Sequence, residues 1–497
     1  MRTSEPLAII DIGSNSARLV IYQREAAGQF RILWSARSPL RLVRDVDRDR
    51  RLSLESIAAT LRVLTDFRAM IRASGARRVV AVATAAMRDA DNAQALMRQV
   101  RSELGLHIDL IDAREEAYLG ALGGIRALPV NQGVLFDLGG GSIQIVRFNN
   151  RRPGDARSLP LGSLRLSQAF LRHDPPSKHE IRSLRKYVQR TLAELRMPQL
   201  SRSDVLVGVG GTIRNLAKID ARDHEYPIAR IHGYVLSRLR LAEIVDLLSR
   251  RRLRSAKGIA GLSRERGDSI AGGALAVEVL LEVLGATEII VSGEGVREGL
   301  VYSSASKRLP SIDAVRRAAV LSLAGRFITW NAKWAERRAQ IALKLLHSLE
   351  RTPGSEVRTS LEHAATLLDI GRSVDFFDRY EHAAEMVMNT ELDGFHHREI
   401  AMISAVIANA DDEDIGFSQY RPILTEKDAA SVQRAAILLR LADEIEQRWP
   451  KRESVRLNCR VTRQEVQIQG RGLAGWSLQG VASRFERLFG RRLSVRS

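Results

Sequence analysis

Leu7-Ala-Ile-Ile-Asp11-Ile-Gly-Ser-Asn-Ser16 and Gly133-Val-Leu-Phe-Asp137-Leu-Gly-Gly-Gly-Ser142 carry one pattern twice. In each, an apolar run that reads as a buried strand ends on Asp. A short turn of Gly and small residues follows, and then a strand pattern resumes, Arg18-Leu-Val-Ile-Tyr22 in the first copy and Ile143-Gln-Ile-Val-Arg-Phe148 in the second. Asp137 follows Asp11 by 126 residues, a domain-sized offset that indicates a duplicated architecture with one loop per half. Consecutive backbone N–H groups without bulky side chains suit a bound phosphate oxygen, and an Asp at the base of the turn suits a cation. Gly13, Ser14 and Asn15 in one loop, and Gly139, Gly140, Gly141 and Ser142 in the other, are therefore candidate phosphate-binding residues. A single turn of this kind is more often a plain tight turn. Its repetition reverses that preference, and the two loops are expected to face each other across a cleft.

Outward from the loops the period alternates. Helices are expected at 54–73, 92–104 and 115–126 with strands at 78–83 and 107–111. In the second half helices are expected at 178–195, 212–219, 237–249 and 267–284 with strands at 204–209 and 288–292. Such alternation indicates an α/β class with mixed sheets. Past about residue 305 it stops, and 312–331, 335–348, 358–368, 380–390, 397–409 and 427–448 read as helices. A hairpin over 454–469 and a helix over 479–488 close the chain as a small α+β element. The expected domains are 1–128, 129–306, 307–452 and 453–497.

The chain has 497 residues, 45% of them hydrophobic, enough for several cores. Lys+Arg number 77 against 58 Asp+Glu, a net charge of +19, and all but nine of the basic residues are Arg. The excess is uneven: residues 1–300 carry +14, residues 351–450 carry −9, and residues 451–497 carry +8. A polyanionic partner would therefore meet the first 300 residues or the tail, although Arg enrichment also follows from genome composition. The lone Cys459 excludes an internal disulfide framework and a Cys-based zinc cage, and is expected to be an inert strand residue. No secretory pattern opens the chain and no apolar run nears the roughly 20 residues of a membrane helix. The expectation is a soluble, cytoplasmic protein without a membrane partner or a specific nucleic-acid partner.

Asp11-Ile-Gly-Ser-Asn-Ser16 with Arg18, Ala83-Thr-Ala-Ala-Met-Arg88-Asp-Ala-Asp-Asn92, Ile111-Asp-Ala-Arg-Glu-Glu-Ala117, Asp137-Leu-Gly-Gly-Gly-Ser142, Val209-Gly-Gly-Thr212 and Ser292-Gly-Glu-Gly-Val-Arg-Glu-Gly299 resemble, in order, the motifs of the exopolyphosphatase/guanosine pentaphosphate phosphatase (Ppx/GppA) family. The resemblance spans at least 7–305, and 312–450 resembles the degenerate HD-type third domain of the family's long members. It implies an α/β fold of two actin-like domains (the ASKHA, ribonuclease H-like class), followed by an all-helical HD-like domain and the small C-terminal α+β element. It also implies a homodimer. Glu116 matches the family's catalytic glutamate, which would orient and deprotonate the attacking water; as a residue alone it is equally an ordinary first-turn helix carboxylate. Asp137 is implied as its catalytic companion, and Asp11, Asp137 and Glu116 as ligands of Mg2+. Arg18 and Arg88 match positions at the substrate entrance, where Arg suits bidentate phosphate contact. Gly210, Gly211, Thr84 and Thr212 complete the implied phosphate set, although either threonine equally suits a helix cap. The sequence departs from the family at Gln144, usually Glu, and a neutral amide there implies weaker Mg2+ binding or lower turnover. In the helical segment, His363, Asp369, His382, His396, His397 and Asp443 lack the adjacent His-Asp pair of an HD metal centre, having Leu368-Asp369 instead.

Hydrolysis of terminal phosphate from inorganic polyphosphate is the function these residues imply first. Hydrolysis of pppGpp to ppGpp is a second reading in the same fold. A polyphosphate or (p)ppGpp sensor without turnover is a third, prompted by Gln144. A kinase of the same superfamily lacks an evident sugar-binding set, and the +19 charge alone supports only nonspecific attraction to nucleic acid.

Overall fold

The computed structural model describes residues 5–25, 29–253, 259–304, 309–350, 352–411, 417–450, 453–478 and 480–496. They divide into two compact units, one drawn from Met1–Tyr226 and Arg230–Val315, the other from Pro227–Ala229 and Arg316–Ser497. Among the described residues no helix is long and apolar enough to cross a membrane.

The first unit holds two sheets built to one plan. Strand Leu7–Ile12 runs antiparallel to Ser16–Arg24, which is followed by the edge strand Phe30–Pro39; on its other side it runs parallel to Arg78–Ala83, and then comes Asp109–Leu110. In the second sheet Gly133–Leu138 has the same neighbours: Ile143–Asn149 and Arg152–Leu159 antiparallel on one side, Val205–Val209 parallel on the other, then Glu288–Val291 and Val235–Ser237. Asp11 pairs with Arg18 in the first hairpin and Asp137 with Gln144 in the second. Gln144 thus holds the place in the second hairpin that Arg18 holds in the first. The repeated sheets bear out the duplicated α/β plan expected from the two Asp-x-Gly hairpins. The strands over 30–39 and 152–159 were not anticipated, because as edge strands they bury none of their residues and carry no alternation.

Two helices join the sheets. Ala113–Arg126 lays Ala117, Ala121 and Ile125 against Leu135, Val146, Phe148 and Val207 of the second sheet, while its Leu119 packs with Val82 and Ile111 of the first. Val301, in helix Val296–Ser303, joins Leu7, Ile9, Val20 and Tyr22. Each helix therefore serves the sheet on the far side of the expected 128/129 limit, which passes between elements that share cores. The other two expected limits, 306/307 and 452/453, touch residues outside those described. The helices cross backbone to backbone: a Cβ on Gly123 would lie 2.1 Å from the Gly295 carbonyl oxygen, and one on Gly299 2.0 Å from that of Leu119.

The second unit contains helices Ile312–Ala324, Ala332–Leu349, Ser355–Leu367, Arg379–Asn389, His397–Ala408 and Glu426–Arg448. They are followed by a three-stranded sheet in which Asn458–Val461 pairs antiparallel with Glu465–Gln469, itself parallel to an unanticipated strand, Arg492–Arg496. Arg338 is wholly buried between two aspartates, with Nη2 2.6 Å from Asp369 Oδ2 and Nε 2.8 Å from Asp443 Oδ1. Arg372 pairs with Asp369 at 2.9 Å, and Asp443 also accepts from Arg379 at 2.7 Å and Tyr380 at 3.0 Å. A guanidinium thus supplies the positive charge these two carboxylates require. His363 packs edge-on to Phe395, and Cys459 sits half-buried in its strand. Of the acidic run at 411–414, Asp411 pairs with Arg440 and the rest lies outside the described residues.

Two outcomes are expected. Gly123→Ala places a methyl against an immovable carbonyl and lowers unfolding stability by about 2–3 kcal/mol, read from denaturant midpoints. Arg338→Met takes the shared guanidinium from two buried carboxylates and costs about 3–5 kcal/mol in the helical unit, read by thermal unfolding.

Candidate active site

The loops after Leu7–Ile12 and Gly133–Leu138 are closed alike. Gly13 N–H donates to Ser16 O at 3.1 Å, and Gly139 N–H donates to Ser142 O at 2.9 Å. Leu40, Arg41 and Val43 donate to the carbonyls of Ser14 and Asn15, while Ser163, Leu164 and Arg165 donate to those of Gly139 and Gly140. With their carbonyls occupied, what the loops offer a ligand is N–H donors. They stand face to face: a Cβ on Gly140 would lie 3.4 Å from Asn15 Cβ, and one on Gly141 3.3 Å from Ser14 Oγ. Gly210, at a φ of +105° that favours glycine, brings the next helix against the second loop, where a Cβ would lie 3.0 Å from Asp137 Oδ1.

Between the loops lies a cleft of about 150 Å³. Of the residues expected from sequence, Asp11, Gly13, Ser14, Asn15, Arg18, Thr84, Glu116, Asp137, Gly139, Gly140, Gly141, Ser142, Gly210 and Gly211 line it.

Two expected residues lie elsewhere. Arg88 does not line the cleft; it stands behind Glu116, donating from Nη1 to Glu116 Oε2 at 2.7 Å and to the Ile111 carbonyl at 2.9 Å. Thr212 neither lines the cleft nor caps its helix. Gly210 is the cap residue, and the Thr212 side chain is fully buried toward Gly273 with no partner for its hydroxyl among the described residues. The first turn of helix Gly211–Asp223 simply points that side chain into the core. Thr84 holds an N-cap position without a side-chain cap bond, leaving the hydroxyl to the cleft. Gln144 is buried, off the cleft wall, and donates to Ser142 Oγ at 2.8 Å, so it braces the second loop.

Three cleft arginines were not anticipated: Arg214, Arg266 and Arg297. Arg297 lies inside the quoted 292–299 motif and Arg214 two residues past Thr212, so proximity to motifs marked both. Arg266 carried no signal among so many arginines. With Arg18 they crowd positive charge into a buried space. Burial, then Arg297, Arg214 and Arg37, bring Arg18 down to about 9, and burial and Arg37 bring Arg266 to about 10. The carboxylates are displaced the other way. Burial lifts Glu116 to about 7 against the pull of Arg88, lifts Asp137 to about 6 with Asp11 adding to it, and raises Asp11 as well. Groups held this far from their solution behaviour in one cleft are what acid–base and anion-binding chemistry needs.

Asp11 and Asp137 sit at the bases of the two loops. Among the described residues no group of three His, Cys, Asp or Glu is close enough to hold a metal ion unaided, so Glu116 does not complete a three-carboxylate cage. Two carboxylates beside a phosphate cradle still suit Mg2+, which binds through one or two carboxylates and completes its shell with water and substrate phosphate.

Comparison with known proteins places these features. A family model described as the Ppx/GppA phosphatase family matches residues 20–308, and one described as Ppx/GppA phosphatase, domain III, matches residues 315–479. Exopolyphosphatase 1 of Mycobacterium tuberculosis is 27% identical over 299 residues, covering 59% of this chain and 87% of that protein. The Mycobacterium leprae protein of the same name is 27% identical over 301 residues, covering 59% and 88%. The crystal structure of an Aquifex aeolicus member of the Ppx/GppA family superposes with a TM-score of 0.54 at 30% identity, covering 61% of this chain and 97% of that one. An exopolyphosphatase from Cytophaga hutchinsonii, at 24% identity and a TM-score of 0.56, covers 60% and 97% and shows the same fold.

Since Arg88 is the cation that holds Glu116 down, Arg88→Gln is expected to move the Glu116 titration upward from about 7 by about one pH unit or more. Carboxyl-carbon NMR reads the midpoint, and a midpoint that stays or falls contradicts the assignment.

Proposed function

Because the chain belongs to the Ppx/GppA phosphatase family, we propose that it is an exopolyphosphatase, hydrolysing the terminal phosphoanhydride bond of inorganic polyphosphate to release orthophosphate. The observation that carries this reading is the placement of Glu116, gripped by Arg88, on the wall of a cleft whose other sides are two N–H-donating loops and four arginines.

Phosphoryl transfer runs through a loose transition state with charge spread over the phosphoryl oxygens, so positioning and neutralisation dominate the rate. Residues 14–15 and 140–142 cradle the terminal phosphate by backbone N–H groups, and Arg18, Arg214 and Arg297 offset its charge. Glu116, ionised above about pH 7, takes a proton from a water and aims it at phosphorus, opposite the bridging oxygen that leaves with the shortened chain. Arg88 fixes the carboxylate by its 2.7 Å hydrogen bond. Asp11 and Asp137 would hold Mg2+, which supplies further neutralisation of the phosphate oxygens when bound. Arg18, Arg214, Arg266 and Arg297 give the cleft four cations with which to meet a highly charged substrate. The soluble, polyanion-facing surface of residues 1–300, at +14, draws such a substrate in.

Phosphate release from long-chain polyphosphate in the presence of Mg2+, compared between wild type and Glu116→Gln, tests the proposal. The variant is expected to lose on the order of 10²–10⁴-fold in kcat while keeping its thermal midpoint. Equal rates remove Glu116 from the mechanism. Faster release from pppGpp than from polyphosphate by the wild type would transfer the assignment to the nucleotide.

A further inference from the structure

The mouth of the cleft carries a second charge system that the chemistry above does not use. On one side, the end of the edge strand Phe30–Pro39 and the segment leading into helix Val43–Asp49 present Arg37, Arg41 and Arg44. On the other, Glu265 and Asp268 flank the cleft-lining Arg266 in sequence. Arg37 Nη1 lies 2.8 Å from Glu265 Oε2, Arg41 Nη1 3.0 Å from Asp268 Oδ2, and Arg44 Nη2 2.6 Å from the same oxygen. Arg37 is close enough to the interior to disfavour the charged forms of Arg18, Arg214 and Arg266, and its Nε reaches to 3.4 Å from Ser16 Oγ in the first loop. The basic lining of the cleft thus continues outward onto the rim, where two carboxylates cover it.

A carboxylate on a guanidinium uses the same forked geometry as a phosphate on a guanidinium. These pairs are part-exposed, with 26–48% of each side chain accessible, a setting in which an ion pair is worth about 0–1 kcal/mol and exchanges readily. A phosphate chain whose end fills the cleft has further phosphates emerging at the rim, whereas a compact triphosphate has nearly all its charge inside.

Resting on the reading of the cleft as a terminal-phosphate site, we propose that Glu265 and Asp268 are an acidic gate. They occupy the Arg37, Arg41 and Arg44 subsite until the following phosphates of an extended chain displace them, and so they set how strongly the protein discriminates between long polyphosphate and short phosphate anions.

The test is direct binding, by calorimetry, of long-chain polyphosphate and of tripolyphosphate to wild type, to Glu265→Gln/Asp268→Asn, and to Arg37→Gln/Arg41→Gln/Arg44→Gln, each checked for a wild-type thermal midpoint. The acid variant is expected to bind the long chain about tenfold more tightly, about 1.4 kcal/mol, with tripolyphosphate within about twofold of wild type. The arginine variant is expected to lose long-chain affinity selectively and to keep that loss if the acid variant unfolds. Unchanged or weaker long-chain binding in the acid variant overturns the gate, as does an equal gain for both probes, which would mark the pairs as a clasp between the two sheets. Long-chain binding without hydrolysis by wild type would refute the catalytic reading and leave the gate standing; hydrolysis with unaltered binding in both variants would refute the gate alone.

Discussion

The backbone crossing of helices Ala113–Arg126 and Val296–Ser303 is the constraint on which the cleft depends. Gly123 and Gly299 remove the two side chains that would keep the helices apart, and the carbonyls of Gly295 and Leu119 take up the space. Because each helix packs on a sheet remote from it in sequence, this crossing sets the distance between the two hairpin loops. It also places cleft residues directly: Glu116 is in the first turn of one helix, and Arg297 is in the first turn of the other. Glu298 accepts from Tyr22 at 2.7 Å and from the Gly295 N–H at 2.8 Å, tying the second helix back to the first hairpin.

Within that frame, burial governs the electrostatics. Four arginines and four carboxyl groups, those of Asp11, Glu116, Asp137 and Glu294, line a space small enough that neighbours perturb one another. Burial raises Asp11, Glu116 and Asp137, and the opposing cations differ: Arg88 for Glu116, Arg214 for Asp137, and Arg297 with Arg18 for Asp11. Similar carboxyls therefore take different roles by environment alone, one fitted to move a proton near neutrality and two fitted to share a cation. The helical unit solves a related problem differently, with Arg338 inserted between Asp369 and Asp443 and a second arginine on each, Arg372 on Asp369 and Arg379 on Asp443.

Much of the site was legible because its signals are local. The Asp-x-Gly turns recur at a fixed offset, and a turn needs particular small residues at particular places, so Asp11, Asp137 and both loops could be read directly. Glu116 was legible from its motif. Thr212 was misjudged because its motif indicates where the chain turns but not which way the first helical residue faces; the fold points it at Gly273. Arg88 was assigned to substrate and instead grips Glu116, since an arginine's partner depends on what lies across the fold. Arg266 could not be singled out from composition. The edge strands over 30–39 and 152–159 were invisible because edge strands bury too little to impose a period.

By itself the sequence determined the duplicated α/β plan, the helical segment after it, the two Asp-x-Gly loops and the concentration of positive charge in the first 300 residues. Those depend on periodicity, turn chemistry and charge counts, which are properties of neighbours along the chain. Only the tertiary structure decided which arginines enter the cleft, that Gln144 occupies the place equivalent to Arg18, that Glu116 is held by Arg88, and that Glu265 and Asp268 cover the basic rim. Each joins residues far apart in sequence, and the physical agent is the same in every case: a helix crossing or a strand register that brings charges within a few ångströms, where burial rather than composition sets what they do.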